Sequence, residues 1–255
     1  MFTYTLLGTG TSQGIPVIGC DCAVCASTDV RDKRLRAALL VQSSTTNVVI
    51  DTGPDFRQQM LREGISNIDA VLLTHEHKDH IAGMDDVRPI NFRYKKDMPV
   101  YATEGVQTAV RREFKYAFEA APYPGVPRFL LHTIDKNSEF TVGDISFRAI
   151  EVLHYKLPVL GFRIQNFAYV TDAKTIAKEE LDKLIGVKTL IINTLHNYNH
   201  IAHLTLEEAL VIIDYLKPER TYLTHLGHLC GTHSDFERLL PPNVFLAYDG
   251  LKIIC

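Results

Sequence analysis

The chain has 255 residues, 46% of them hydrophobic and 22% charged, close to folded domains and far from disordered or collagen-like compositions. At this length a core can be buried without disulfides, in one large domain or two small ones. The formal charge of −3 excludes a global positive field of the kind that draws proteins onto nucleic acid, and no stretch reaches the apolar length of a membrane span.

The opening residues carry no basic segment followed by an apolar run and a small-residue cleavage site, so the expected location is the cytoplasm. TYTLLGTG (3–10), AALLVQSS (37–44) and TNVVIDTG (46–53) predict strands, DFRQQMLREG (55–64) a helix and AVLLTH (70–75) another strand. Helical patterns follow at DHIAGMDDVRPINF (79–92) and GVQTAVRREFKYAF (105–118). Arg93, Lys95 and Lys96 between them read as a solvated loop. ISFRAIEVLH (145–154), LGFRIQNFAYVTD (160–172), TLIINTL (189–195) and TYLTHLG (221–227) predict strands, with helices at TIAKEELDKLI (175–185) and LTLEEALVIIDYL (204–216). The alternation, with no low-complexity linker, predicts one α/β domain over residues 1–255.

His75, His77, Asp79 and His80 fall within THEHKDH (74–80), mixing imidazoles with a hard carboxylate as zinc, manganese or iron accept. His75 and His77, on alternate residues of an extended loop, can face one ion, while Asp79 and His80 at the start of a helix face another. Further candidates sit where strand patterns give out: His154, Asp172 and His225. Groups so placed can converge on one edge of a sheet.

Here the sequence resembles the metallo-β-lactamase superfamily, whose signature is H-x-H-x-D-H preceded by a strand ending in aspartate, as VVIDTG supplies with Asp51. The resemblance implies a four-layer αββα sandwich. It also implies that His75, His77 and His154 bind a first metal and Asp79, His80 and His225 a second, with Asp172 bridging. Asp51 is expected to accept a hydrogen bond from a ligand imidazole and fix its tautomer. Two zinc, manganese or iron ions about 3.5 to 4 Å apart would hold a bridging water as hydroxide at neutral pH.

Five cysteines, Cys20, Cys22, Cys25, Cys230 and Cys255, include three within six residues, a pattern that suggests a metal site before a disulfide framework. Cys20, Cys22 and Cys25 can hold a tetrahedral zinc if a fourth ligand arrives, from His228 or Cys230. Together with the opening GTGTSQGIP, this cluster resembles the branch containing the phosphoribosyl cyclic phosphodiesterases, PhnP. That resemblance assigns His228 as the fourth zinc ligand and His203 as a group that protonates the leaving oxygen or neutralises phosphate charge. His200 is the alternative on the same loop, and His196 and His200 otherwise read as exposed loop histidines. Lys156 and, in the divergent run GMDDVRPINFRYKK, Arg88 are candidate substrate contacts, although Asp85, Asp86 and Arg88 have no obvious partners in the branch.

The function expected is hydrolysis of small phosphate esters, cyclic ones among them, by a dinuclear site, with Asp79, Asp172 and His203 central to catalysis. The family also makes a homodimer an expectation; no membrane and no strong nucleic-acid binding are expected. The competing readings are a tRNA 3′-processing endonuclease, a thioester hydrolase and a metal-stabilised binding protein without turnover. The first lacks its long basic arm here, the second an extra helical domain, and the third is opposed by a complete set of ligand positions.

Overall fold

A computed structural model of the chain describes residues 1–121 and 123–255. Fourteen strands form two seven-stranded mixed sheets among the described residues. The first sheet contains β1 (Thr3–Gly8), β2 (Ala38–Gln42), β3 (Asn47–Ile50), β4 (Ala70–Leu72), β5 (Met98–Ala102) and β6 (Phe129–Thr133), and its far edge is β14 (Lys252–Ile254) beside β1. The second contains β7 (Glu139–Val142), β8 (Ile145–His154), β9 (Leu157–Ile164), β10 (Phe167–Val170), β11 (Thr189–Asn193), β12 (Arg220–Thr224) and β13 (Val244–Leu246) in spatial sequence. Strands β3 to β6 are parallel to one another, as are β10 to β13, while the remaining pairings, including β2 with β3 and β9 with β10, are antiparallel.

The layering follows from the two-residue period of a strand, which sends successive side chains to opposite faces. In β2, Leu39 and Val41 enter the core between the sheets, meeting Phe162 and Tyr169, while Ala38 and Leu40 enter a second core under the helices. In β11, Ile191 faces the central core, whereas Leu190 and Ile192 pack in a third core with Ala209 and Leu216. Both faces of each sheet are therefore buried, which is why these strands read as nearly continuous apolar runs. The outer layers are α1 (Ala23–Ala26), α2 (Phe56–Glu63), α3 (Lys78–Ile81), α4 (Arg88–Tyr94), α5 (Glu104–Glu113), α6 (Lys178–Asp182), α7 (Leu206–Leu216) and α8 (His233–Glu237). The architecture is the expected αββα sandwich. No helix among the described residues is long and apolar enough to cross a membrane.

Four expected elements differ: the helix at GVQTAVRREFKYAF ends at Glu113 and passes into a 3₁₀ turn at Lys115–Ala117, and three others depart as follows. LGFRIQNFAYVTD is two strands, because Gln165 adopts φ 51° and turns the chain into a hairpin between β9 and β10. The helix expected over 79–92 breaks into α3, a 3₁₀ turn at Met84–Val87 and α4. Gly83 packs against the carbonyl of Gly53, leaving no room for a side chain, and Pro89 restarts the helix near its first position. TIAKEELDKLI is helical only over Lys178–Asp182.

Candidate metal centre

The candidate ligands lie at or just beyond the C-terminal ends of strands: His75 after β4, His154 at the end of β8, Asp172 after β10 and His225 after β12. Asp51, Asp172 and His225 take left-handed backbone angles, φ 66°, 57° and 58°. For non-glycine residues such angles cost about 1 kcal/mol or more each, and they concentrate at functional sites. His203, three residues before α7, is pinned by Leu204, whose N–H donates to the Ala173 carbonyl at 2.8 Å. Just beyond it, Thr205 and Glu208 close a reciprocal capping box on α7.

Two ligand sets meet. His75 Nε2 and His77 Nδ1 lie 3.0 Å apart, and the His154 ring is 5.8 and 5.1 Å from theirs. Ligand atoms of Asp79, His80 and His225 lie within 4.8 Å of one another. Asp172 stands between: its Oδ2 is 3.3 Å from His80 Nε2, its Oδ1 3.0 Å from His225 Nε2, and it also groups with His75 and with His154 and His203. All seven expected ligands are thus brought together.

A second row of contacts orients them. Asp51 is fully buried; its Oδ2 accepts from His80 Nδ1 at 2.7 Å and from the Thr74 hydroxyl at 2.9 Å, and its Oδ1 from the Thr74 N–H at 2.9 Å. Thr74 has given its one proton to Asp51, so its oxygen accepts from His75 Nδ1 at 3.0 Å. One carboxylate therefore sets two tautomers, leaving both Nε2 atoms for a cation. His154 Nδ1 donates to the Ala202 carbonyl at 2.8 Å, and the Thr171 hydroxyl to Asp172 Oδ2 at 2.6 Å. Thr74 and Thr171 were not singled out in the sequence; each is a hydroxyl directly preceding a candidate ligand, and that adjacency was the available signal.

The donor chemistry fits divalent cations. His80 Nε2 and His225 Nε2 are buried without a hydrogen-bond partner although carboxylate oxygens stand nearby, an arrangement that a cation resolves. Burial holds His75 well below the ordinary histidine range and lowers His77, which keeps them in the neutral form a metal requires. For His80 burial opposes protonation, but Asp51 and then Asp172 outweigh it and hold the imidazole well above that range.

His203 lies at the edge of this centre, its ring 4.7 Å from that of His225 and 4.5 Å from that of His154. Burial, followed by His225, pushes it down to about 2. His200 stacks on its outer side at 5.1 Å. Contrary to the sequence reading, His196 is buried, with Nδ1 accepting from the Tyr198 N–H at 3.1 Å, and His200 is half-buried. Lys156 is exposed on the turn after His154. Arg88 is engaged elsewhere: it pairs with Asp85 and donates to the Gly125 carbonyl at 3.3 Å.

The three clustered cysteines form a second centre with His228 Nδ1, which lies 3.3, 3.5 and 3.6 Å from Cys20, Cys22 and Cys25 Sγ. A tetrahedron with zinc–sulfur bonds near 2.3 Å and zinc–nitrogen near 2.0 Å has S···N edges of about 3.5 Å. The geometry fits that ion. A hydrogen bond from the Cys25 backbone brings the Cys22 thiol down to about 6, toward the thiolate that zinc needs. Cys230 stays outside the cluster, donating to the Leu195 carbonyl at 3.0 Å, and burial pushes it up to about 12.

Residues 46–226 match the family model for the beta-lactamase superfamily domain. With this sandwich and a His/Asp centre at its strand ends, the chain belongs to the metallo-β-lactamase superfamily. A crystal structure of a diphosphatase from the PhnP family superposes with a TM-score of 0.92 at 39% identity, covering 99% of this chain and 96% of that one. Within the superfamily, the chain therefore resembles the PhnP family over nearly its whole length. An octanoyltransferase of Porphyromonas gingivalis is 41% identical over 251 residues, 98% of this chain and 51% of that protein. A coenzyme PQQ synthesis protein B of Methylorubrum populi is 31% identical over 121 residues, 41% of this chain and 38% of the relative. The chain spans about half the length, or less, of these two relatives.

Proposed function

We propose that this hydrolase cleaves small phosphate esters or diphosphates with two divalent ions, held by His75, His77 and His154 on one side and Asp79, His80 and His225 on the other. The observation that carries the reading is Asp172, one buried carboxylate that groups with His75 and with His154 of the first set while its oxygens lie 3.3 Å from His80 Nε2 and 3.0 Å from His225 Nε2 of the second. When bound, such a pair of ions polarises phosphoryl oxygens and activates water at neutral pH. The 39% identity to a diphosphatase over almost the full chain favours a phosphorus centre.

The chain's own residues supply the rest. His203 is neutral without substrate, and an arriving phosphate anion raises its proton affinity, so it can carry a proton to the leaving oxygen. Lys156, exposed two residues after His154, meets distal negative charge. The octanoyl transfer for which the Porphyromonas gingivalis relative is named belongs to a protein of which this chain matches 51%, and the test includes that chemistry. Metal-reconstituted protein is assayed against diphosphate esters, cyclic ribose phosphates, a nitrophenyl phosphodiester and an octanoyl thioester. Metal-dependent release of phosphate or phosphomonoester is expected; turnover of the thioester alone sinks the phosphate reading.

A further inference from the structure

His225 differs from His75, His80 and His154 in how it is held. His75, His80 and His154 each fix the ring nitrogen that does not face the centre by a hydrogen bond, to Thr74, Asp51 and the Ala202 carbonyl. His225 Nδ1 is buried and no described protein group hydrogen-bonds with it. A ligand histidine ordinarily donates its second N–H to an acceptor that fixes its orientation. His225 must be oriented through its backbone, and that backbone is strained, with φ 58°.

The N-terminal segment grips this backbone twice. Leu226, the next residue, donates its N–H to the Thr9 carbonyl at 2.9 Å and accepts from the Thr11 N–H at 3.1 Å. Two residues later, His228 joins Cys20, Cys22 and Cys25. The cysteine segment reaches back to the same strand-like stretch, since Ile15 pairs with Arg34 in both directions at 2.8 Å and Val17 N–H donates to Cys25 Sγ at 3.3 Å. The turn carrying His225 is thus fixed by backbone bonds at Leu226, by the Gly227 N–H donating to the Leu195 carbonyl at 2.9 Å, and by the sulfur cluster at His228.

We infer that the Cys20/Cys22/Cys25/His228 cluster positions His225, so that a metal ion in the cluster selectively tightens the cation position formed by Asp79, His80 and His225. The inference rests on the dinuclear reading above. The position formed by His75, His77 and His154 is braced by Thr74, Asp51 and Ala202 and does not depend on the cluster.

Cobalt(II) titration of the metal-free full chain tests this, because thiolate-bound cobalt absorbs differently from cobalt bound by histidine and carboxylate. Wild type should take up one thiolate-held ion and two others. Cys22→Ser should lose the thiolate signal and weaken one of the other two by about 10- to 100-fold, the range for loss of an orienting contact, with the remaining ion unchanged. Coupling free energies are reciprocal, which gives a second measurement should Cys22→Ser fold poorly. Filling the histidine and aspartate positions in wild type should slow extraction of the cluster ion by a chelator, and His225→Ala should abolish that effect. Two active-site ions held equally tightly in wild type and Cys22→Ser, or extraction indifferent to the active-site ions, overturns the coupling alone. A wild type that binds only the thiolate-held ion overturns the dinuclear reading and the coupling with it.

Discussion

The two sheets furnish the metal centre in different ways. The first delivers His75, His77, Asp79 and His80 from one stretch of six residues, where β4 gives way to α3. The second delivers His154, Asp172 and His225 from the ends of three separate strands. The first group is cross-braced by Asp51 and Thr74, so local sequence carries much of its geometry. The second converges only if β8, β10 and β12 keep their register, since a slip of one residue sends a strand's side chains to the opposite face. One half of the site is a motif, and the other is a product of the fold.

The largest expected effect breaks the centre where the two halves meet. Asp172→Ala removes the carboxylate shared by both ligand sets, so hydrolysis should fall on the order of 10³-fold or more, several kcal/mol of charge stabilisation. Elemental analysis should show a lower metal content with the thiolate-held ion retained. Full activity with all ions in place would mean that the carboxylate does not bridge.

The next effect isolates His203, which touches the centre from the second half without serving there as a proposed ligand. His203→Ala should cost about 10²- to 10⁴-fold, the usual range for general acid catalysis, with a ribose or alkyl leaving group. The cost should be much smaller with a nitrophenolate, which departs without a proton, and metal content should not change. Equal losses on both substrates would instead assign His203 to phosphate binding.

The contrast between the sheets also marks what the sequence could reveal. THEHKDH is legible because its ligands are neighbours in the chain, and the αββα layering because strands buried on both faces leave long apolar runs such as AALLV and TLIIN. The interior strand β5 and the edge strands β6, β7, β13 and β14 escaped notice: they are three to five residues long, and short runs give periodicity little to register. Residue spacing alone leaves the choice between His228 and Cys230 open, and only the family resemblance points to His228. Two residues separate them, and only the 3₁₀ turn at His228–Cys230 decides which side chain faces Cys20, Cys22 and Cys25 and which faces Leu195.

A smaller effect compares the bracing of the two halves. Asp51→Asn keeps a residue that tolerates φ 66° but weakens the contact orienting His80, so chelator competition should show active-site metal affinity about 10- to 100-fold lower. Thr171→Val removes one hydroxyl from Asp172, a contact worth about 1 kcal/mol and so roughly fivefold. If Thr171→Val proves the more damaging, the first half is not the better braced.

The smallest effect concerns Cys230, which lies next to the sulfur cluster in sequence and apart from it in space. In Cys230→Ala the Leu195 carbonyl loses the thiol at 3.0 Å but keeps the Gly227 N–H at 2.9 Å, so no buried acceptor is stranded. The expected cost is therefore about 1 kcal/mol in chemical unfolding, with the thiolate-held ion fully retained. Cys25→Ala deletes a sulfur 3.6 Å from His228 Nδ1 and should release that ion. If Cys230→Ala releases it as well, Cys230 belongs to the cluster, and the assignment of His228 as the fourth ligand is wrong.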